Sequence, residues 1–370
     1  MRALFRFLLI GLAVLAAVAA AMIALTGNRP AELASVTGPF KTLDLTGLPP
    51  LEKLETAKGA PLALRRYGAP GAMAVIALHG SAGRSESLHP MARALANAAI
   101  AVYVPDMRGH GESAPLGDVA YPGQLDDDMR LLIAHVRNQN PGATVVVLGF
   151  SSGAGYALKF AGGKDGHLAD GYFLIAPALG RAAPEKARAE TWAGVKTTRI
   201  AALKALNALG IHALDGLEVI SFATPDDPRF RPNGYSHRLL ADLLPDDYTV
   251  SLRNLVRRAH LLLGGEDQLF DAATLRAAFL AARPDISTLE LPGIDHAGLI
   301  LNPVSHAAIL SVLGGETVEN RPSTDDDDTR APLPDSYLPK PPAGTQPPDP
   351  QRSLRGVPPP PDGAPLMPKQ

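Results

Sequence analysis

The chain has 370 residues, enough for one large core, and its 37 acidic and 35 basic side chains nearly cancel, leaving no strong field to hold nucleic acid. It contains no cysteine, which excludes a disulfide framework, a thiolate nucleophile and cysteine-ligated zinc or iron–sulfur centres. Its 35 glycines and 35 prolines exceed the usual share and are unevenly spread, so ordered and extended segments are expected in different parts of the chain.

In chain order, the first element is an apolar run. Arg2 and Arg6 precede residues 7–25, FLLIGLAVLAAVAAAMIAL, which carry no charge. At ~1.5 Å per residue the run reaches about 28 Å, close to the ~30 Å hydrocarbon core of a bilayer. Residues 1–28 therefore predict a signal anchor in the cell membrane, with the arginines in the cytoplasm and the following domain on the extracytoplasmic side. The alanine-rich second half also offers A-x-A cleavage sites, whose use would give a secreted protein.

Short apolar runs then alternate with segments of helical period. Strands are predicted over 73–78 (MAVIAL), 100–104 (IAVYV), 144–148 (TVVVL), 172–176 (YFLIA), 260–263 (HLLL) and 287–291 (STLEL), most of them buried on both faces. Helices are predicted over 88–99, 125–136, 153–160 and 272–282. This alternation specifies an α/β fold with a mostly parallel central sheet flanked by helices, whose ligands gather outside the carboxyl ends of the strands. About eighty residues, 179–258, separate two of the strands and contain a helical stretch at 195–209. That is too long for an ordinary connection and predicts an inserted cap over those strand ends. The α/β domain would occupy 29–320. Residues 321–370, rich in proline and containing the acidic run Asp325 to Asp328, read as an extended, disordered tail.

Gly149-Phe150-Ser151-Ser152-Gly153 fits G-x-S-x-G between a strand and a helix, the context in which a sharp turn lifts the central serine above a sheet. No Gly-Lys-Ser/Thr follows, which disfavours a phosphate loop. A serine nucleophile needs a base oriented by a third group. Two later strand ends offer them in Gly264-Gly265-Glu266-Asp267-Gln268 and in Pro292-Gly293-Ile294-Asp295-His296. The order Ser, Asp, His is that of an α/β-hydrolase. The histidines show no H-E-x-x-H or similar spacing, so neither metal nor cofactor is required.

Together with LHGSAGRSESLHPMARAL and VYVPDMRGHGES, the segments LGFSSGAG, LLLGGEDQLF and LPGIDHAG resemble the monoacylglycerol lipase and lysophospholipase-like branch of the α/β-hydrolase superfamily, which also holds serine aminopeptidase-type hydrolases. The resemblance covers roughly residues 51–313. It implies Ser151 as nucleophile, His296 as general base and then acid, and Asp267 as the orienting carboxylate, with the neighbouring Glu266 as the alternative acid. It also implies oxyanion donors in the backbone N–H groups of Ser152, after the nucleophile, and Ser81, after His79-Gly80. Asp295 is assigned to capping a turn or helix. Arg108 and His110 are assigned to holding their own loop, and His237 has no catalytic role. Trp192, Phe222, Phe230 and Tyr235 either line an acyl site or pack the cap.

Three functions fit these residues: a serine hydrolase of carboxylic esters, small or lipid-like; a serine peptidase or amidase on the same triad; and a membrane-tethered binding module without catalysis.

Overall fold

The computed structural model describes residues 20–24, 29–180 and 192–315. The apolar run at 7–25 lies outside these residues except for its helical end at 20–24, and the tail at 321–370 lies outside them entirely. Among the described residues no helix is long and apolar enough to cross a membrane.

Eight strands make the central sheet: β1 (Glu52–Leu54), β2 (Leu62–Tyr67), β3 (Met73–Leu78), β4 (Ala101–Pro105), β5 (Thr144–Phe150), β6 (Gly171–Ile175) and, after the strands β7 (Ala193–Val195), β8 (Glu218–Phe222) and β9 (Gly234–Ser236) of a separate small sheet, β10 (Arg258–Gly264) and β11 (Ser287–Leu291). The order across the large sheet is β1-β2-β4-β3-β5-β6-β10-β11. All neighbours from β4 to β11 run parallel, and β1 and β2 complete one edge antiparallel.

The doubly apolar strands divide their side chains between two cores. Ala74, Ile76 and Leu78 of β3 and Val145 and Val147 of β5 enter one. Val75, Ala77, Val146 and Leu148 enter the other. Helices Gln124–Gln139 and Ser152–Ala161 cover the first face, and His89–Asn97 and Pro303–Leu313 the second. The chain reverses direction across the sheet at β3, which has β4 on one side and β5 on the other. Such a switch point leaves a crevice at the carboxyl ends, between the loops that leave β3 and β5.

Two parts of the fold differ from the sequence reading. β1 and β2 pair antiparallel at the edge; β2 reads LALRRY, and its two arginines break the apolar run that marks the buried strands. The interval after β6 holds the three-stranded antiparallel sheet β7-β8-β9 as well as helices Thr197–Ala208, His237–Leu243 and Tyr248–Arg253, and the helix expected from 195 begins two residues later because residues 193–195 are strand.

Candidate active site

The turn after β5 is built by steric exclusion. A Cβ added at Gly149 would lie 2.4 Å from the Gly153 carbonyl oxygen, and one at Gly153 would lie 2.4 Å from the His79 oxygen and 2.6 Å from the Leu78 oxygen. Only hydrogen fits at either place. Ser151, between them, sits at φ 55°, ψ −118°, a region that costs an L-residue of order 1–3 kcal/mol and persists only where the surroundings hold it. They do so through the backbone. Ser151 N donates to Ile175 O at 2.9 Å, and its carbonyl accepts from the N–H groups of Ala154, Gly155 and Ala178, each at 3.0 Å.

The loops after β10 and β11 bring an acid and a histidine together. His296 Nδ1 donates to Asp267 Oδ2 at 2.7 Å, and both side chains are almost fully buried. The other carboxylate oxygen, Asp267 Oδ1, accepts from the N–H groups of Leu269 at 2.8 Å and Phe270 at 3.0 Å. A carboxylate held this way orients the imidazole and leaves Nε2 as its lone-pair site. The Phe150 and Phe270 rings flank His296 at 4.7 and 5.5 Å between centroids. Asp295 accepts from Gly298 N at 2.6 Å, at the start of helix Gly298–Leu301, and thus caps it.

Ser81 follows Gly80 in the loop after β3, and Ser152 is the first residue of helix Ser152–Ala161. The Tyr235 hydroxyl, carried in from β9, lies beside Ser81, Ala82 and Ser152. The same hydroxyl meets His110 Nε2 at 2.7 Å. His110 Nδ1 faces the Arg108 carbonyl, an acceptor, so Nδ1 carries the proton and Nε2 receives the one from Tyr235. Burial, with His79 beside it, holds His110 down to about 3, so the ring stays neutral, while burial pushes the Tyr235 phenol up to about 12. His79 is fixed likewise: Nδ1 lies 2.9 Å from Gly80 O, and Nε2 accepts from Met107 N at 3.0 Å. Arg108 lies in the interior and meets both oxygens of Asp128 at 2.9 Å.

These contacts show what sequence reasoning missed. Tyr235 ties the small sheet through His110 to the loop after β4, and Gln268 Oε1 accepts from His296 N at 3.0 Å. The Gly-Gly-Glu-Asp-Gln segment drew attention to its acids, and Gln268 carried no separate signal.

Two cavities meet at Ser151. One, of about 320 Å³, is lined by Ser81 and Ser152 together with apolar side chains, among them Ile200, Ile220, Leu240 and Phe270. The other, of about 90 Å³, is lined by Ser81, Phe150 and His296, and by residues from the segment that precedes β1. Of the aromatic candidates, Trp192 lines both cavities, Phe222 and Tyr235 the larger, and Phe230 the smaller.

A strained serine on the turn after β5, beside an acid–histidine pair on the loops after β10 and β11, is the arrangement of an α/β hydrolase. Residues 70–300, more than half of the chain, match the family described as serine aminopeptidase, S33, and the protein belongs to that family. Lipase LipV of Mycobacterium tuberculosis is 33% identical over 118 residues, which are 32% of this chain and 42% of the lipase, so the chain spans less than half of that relative. Among solved structures, a monoacylglycerol lipase of Paleococcus ferrophilus superposes with a TM-score of 0.53 at 18% identity, over 69% of this chain and 99% of the other. A thermophilic esterase of Thermogutta terrifontis does so with a TM-score of 0.50 at 19% identity, over 73% and 100%. At these identities the likeness is one of fold.

Proposed function

We propose that the protein is a serine hydrolase that cleaves carboxylic esters through an acyl-enzyme. The observation that carries this reading is the 2.7 Å bond from His296 to a buried, doubly anchored Asp267, on the cavity that also holds the strained Ser151. In the proposed cycle His296 Nε2 takes the Ser151 proton as Oγ attacks the acyl carbon. The N–H groups of Ser81 and Ser152 receive the oxyanion, and the same Nε2–H then protonates the alcohol oxygen as the C–O bond breaks. Water, deprotonated by His296, repeats the sequence and releases the acid.

An ester is favoured over a peptide by the lining of the cavities. Removal of an amino-terminal residue calls for a carboxylate to meet the substrate's ammonium group. Glu86 lines the smaller cavity, but Arg65 at 3.2 Å and Arg84 at 3.0 Å already hold it. The partial match to a lipase agrees with this preference.

A fluorophosphonate probe is expected to label the wild-type chain and not Ser151→Ala, which should also lose at least about 10⁴-fold in kcat on p-nitrophenyl esters. Equal labelling of a folded Ser151→Ala variant would move the nucleophile elsewhere. Faster turnover of aminoacyl anilides than of esters would favour the peptidase.

Residues 7–25 would anchor the enzyme with its hydrolytic domain on the extracytoplasmic side. In intact spheroplasts, added protease should then degrade that domain. Full protection until the membrane is lysed would reverse the orientation.

A further inference from the structure

We propose that residues 29–45, which precede the sheet, build a leaving-group chamber that selects esters of neutral, apolar alcohols. The proposal rests on the ester-hydrolase reading for its chemistry. It concerns a part of the chain outside residues 70–300, where the family match lies.

The direction of the substrate follows from proton transfer. The departing alkoxide must lie against the group that protonates it, so the alcohol half of an ester belongs on the His296 side of Ser151. His296 lines the smaller cavity and is absent from the lining of the larger one, whereas Ser81 and Ser151 line both. The acyl chain therefore enters the larger apolar cavity, and the alcohol enters the smaller.

The wall of that smaller chamber is the segment before β1. Val36, Thr37 and Phe40, on helix Ala34–Lys41, and Leu43 and Leu45 after it all line the chamber. The segment is strapped to both parts of the molecule. Arg29 donates to the Phe222 carbonyl at 3.1 Å and to the Thr224 carbonyl at 2.8 Å, and Leu33 N donates to Ala223 O at 2.9 Å. On the other side Gln268, which accepts from His296 N, donates to Ser35 O at 3.4 Å. The strap is thus positioned by the strand end of β8 and by the loop that carries Asp267.

Charge in the chamber is already spent on internal pairs. Arg84 meets Glu86 at 3.0 Å, Arg229 meets Asp227 at 2.5 Å, and Lys41 meets Glu32 at 2.5 Å. A phosphodiester head group would have to compete with Glu86 and Asp227 for Arg84 and Arg229 to gain a cation. An alkyl or aryl alcohol meets Val36, Phe40 and Leu43 without that competition.

The test uses the full chain and two substrate series. One varies the alcohol (methyl, butyl, benzyl, glyceryl, phosphocholine-bearing) on a fixed butanoyl group; the other varies the acyl chain on p-nitrophenol. Phe40→Ala is expected to lower kcat/KM for the butyl and benzyl esters about tenfold relative to the methyl ester, and to leave the acyl-length profile unchanged. Leu240→Ala, in the opposite cavity, should shift the acyl profile alone. Trp192, the single tryptophan, lines both cavities, so benzyl alcohol binding to Ser151→Ala should change its fluorescence, and Phe40→Ala should weaken that binding severalfold. Equal effects of Phe40→Ala on both series, a wild-type preference for the phosphocholine-bearing ester, or benzyl alcohol binding indifferent to Phe40 would overturn the proposal. Alcohol binding that depends on Phe40, in a chain that turns over no ester, would sink the ester-hydrolase reading and leave the chamber standing.

Discussion

Asp267→Asn is expected to lower kcat by about 10⁴-fold with little change in thermal stability. The cause is a forced inversion of the imidazole. Oδ1 of residue 267 accepts two backbone N–H groups, from Leu269 and Phe270, and only the oxygen of an asparagine can take that place. Its NH₂ must then face His296 Nδ1. Two donors cannot meet, so Nδ1 gives up its proton and Nε2, the acceptor from Ser151 in the proposed cycle, acquires it. The pair is buried, so the asparagine amide stays as the partner of Nδ1 and holds the ring in that tautomer. Rates on p-nitrophenyl butanoate, with a melting curve beside them, check this. An asparagine variant that kept more than a tenth of the wild-type rate would mean that another acid orients the ring, and Glu266 is the neighbour to replace next.

Gly153→Ala should destabilise the fold by roughly 4 kcal/mol or more, beyond the range of ordinary single substitutions. An added Cβ would overlap the carbonyl oxygens of His79 and Leu78, at 2.4 and 2.6 Å, and these belong to the end of β3 in the middle of the sheet. Neither atom can yield as a flexible side chain would. A control is Gly38→Ala, where apart from its chain neighbours a Cβ meets nothing within 4 Å, and alanine's better helix propensity is opposed by the crowding of Pro39, so stability should change little. The urea unfolding midpoint should fall for Gly153→Ala and stay near wild type for Gly38→Ala. A Gly153→Ala protein within 1 kcal/mol of wild type would show that the turn has slack that these distances deny.

Much of the central sheet was legible in the sequence for the same reason that the turn is intolerant. Strands such as Met73–Leu78 feed two cores at once, so they read as unbroken apolar runs. Strand β5 runs two residues beyond its apolar run because Gly149 and Phe150 belong both to the ladder and to the turn. The small sheet escaped notice because AGV and GYS are too short to show a period, and β2 because an edge strand tolerates Arg65 and Arg66. At the site, the local motifs could be read directly. The Tyr235–His110 bond joins residues 125 positions apart, and no periodicity records such a meeting. Helix Ala34–Lys41 was invisible for another reason: it is eight residues long, with Gly38 and Pro39 at its centre, a composition that argues for a turn.

The attachment of the first described residues to the small sheet also sets a length. Ile23 packs against Ile200, Leu203 and Val219, and Arg199 donates to its carbonyl at 2.7 Å. Arg29, bound to Thr224, stands only four positions beyond Leu25, a stretch that spans at most about 14 Å when fully extended. If the apolar residues before Ile23 sit in a bilayer, the enzyme has a leash too short to let it turn freely in solution. Its search for substrate becomes two-dimensional, and an ester dissolved in the same leaflet is presented at a local concentration that the bulk never reaches. Severing the chain at residue 28 would leave the chemistry intact and remove that advantage, so lipid-borne and water-soluble esters would exchange rank.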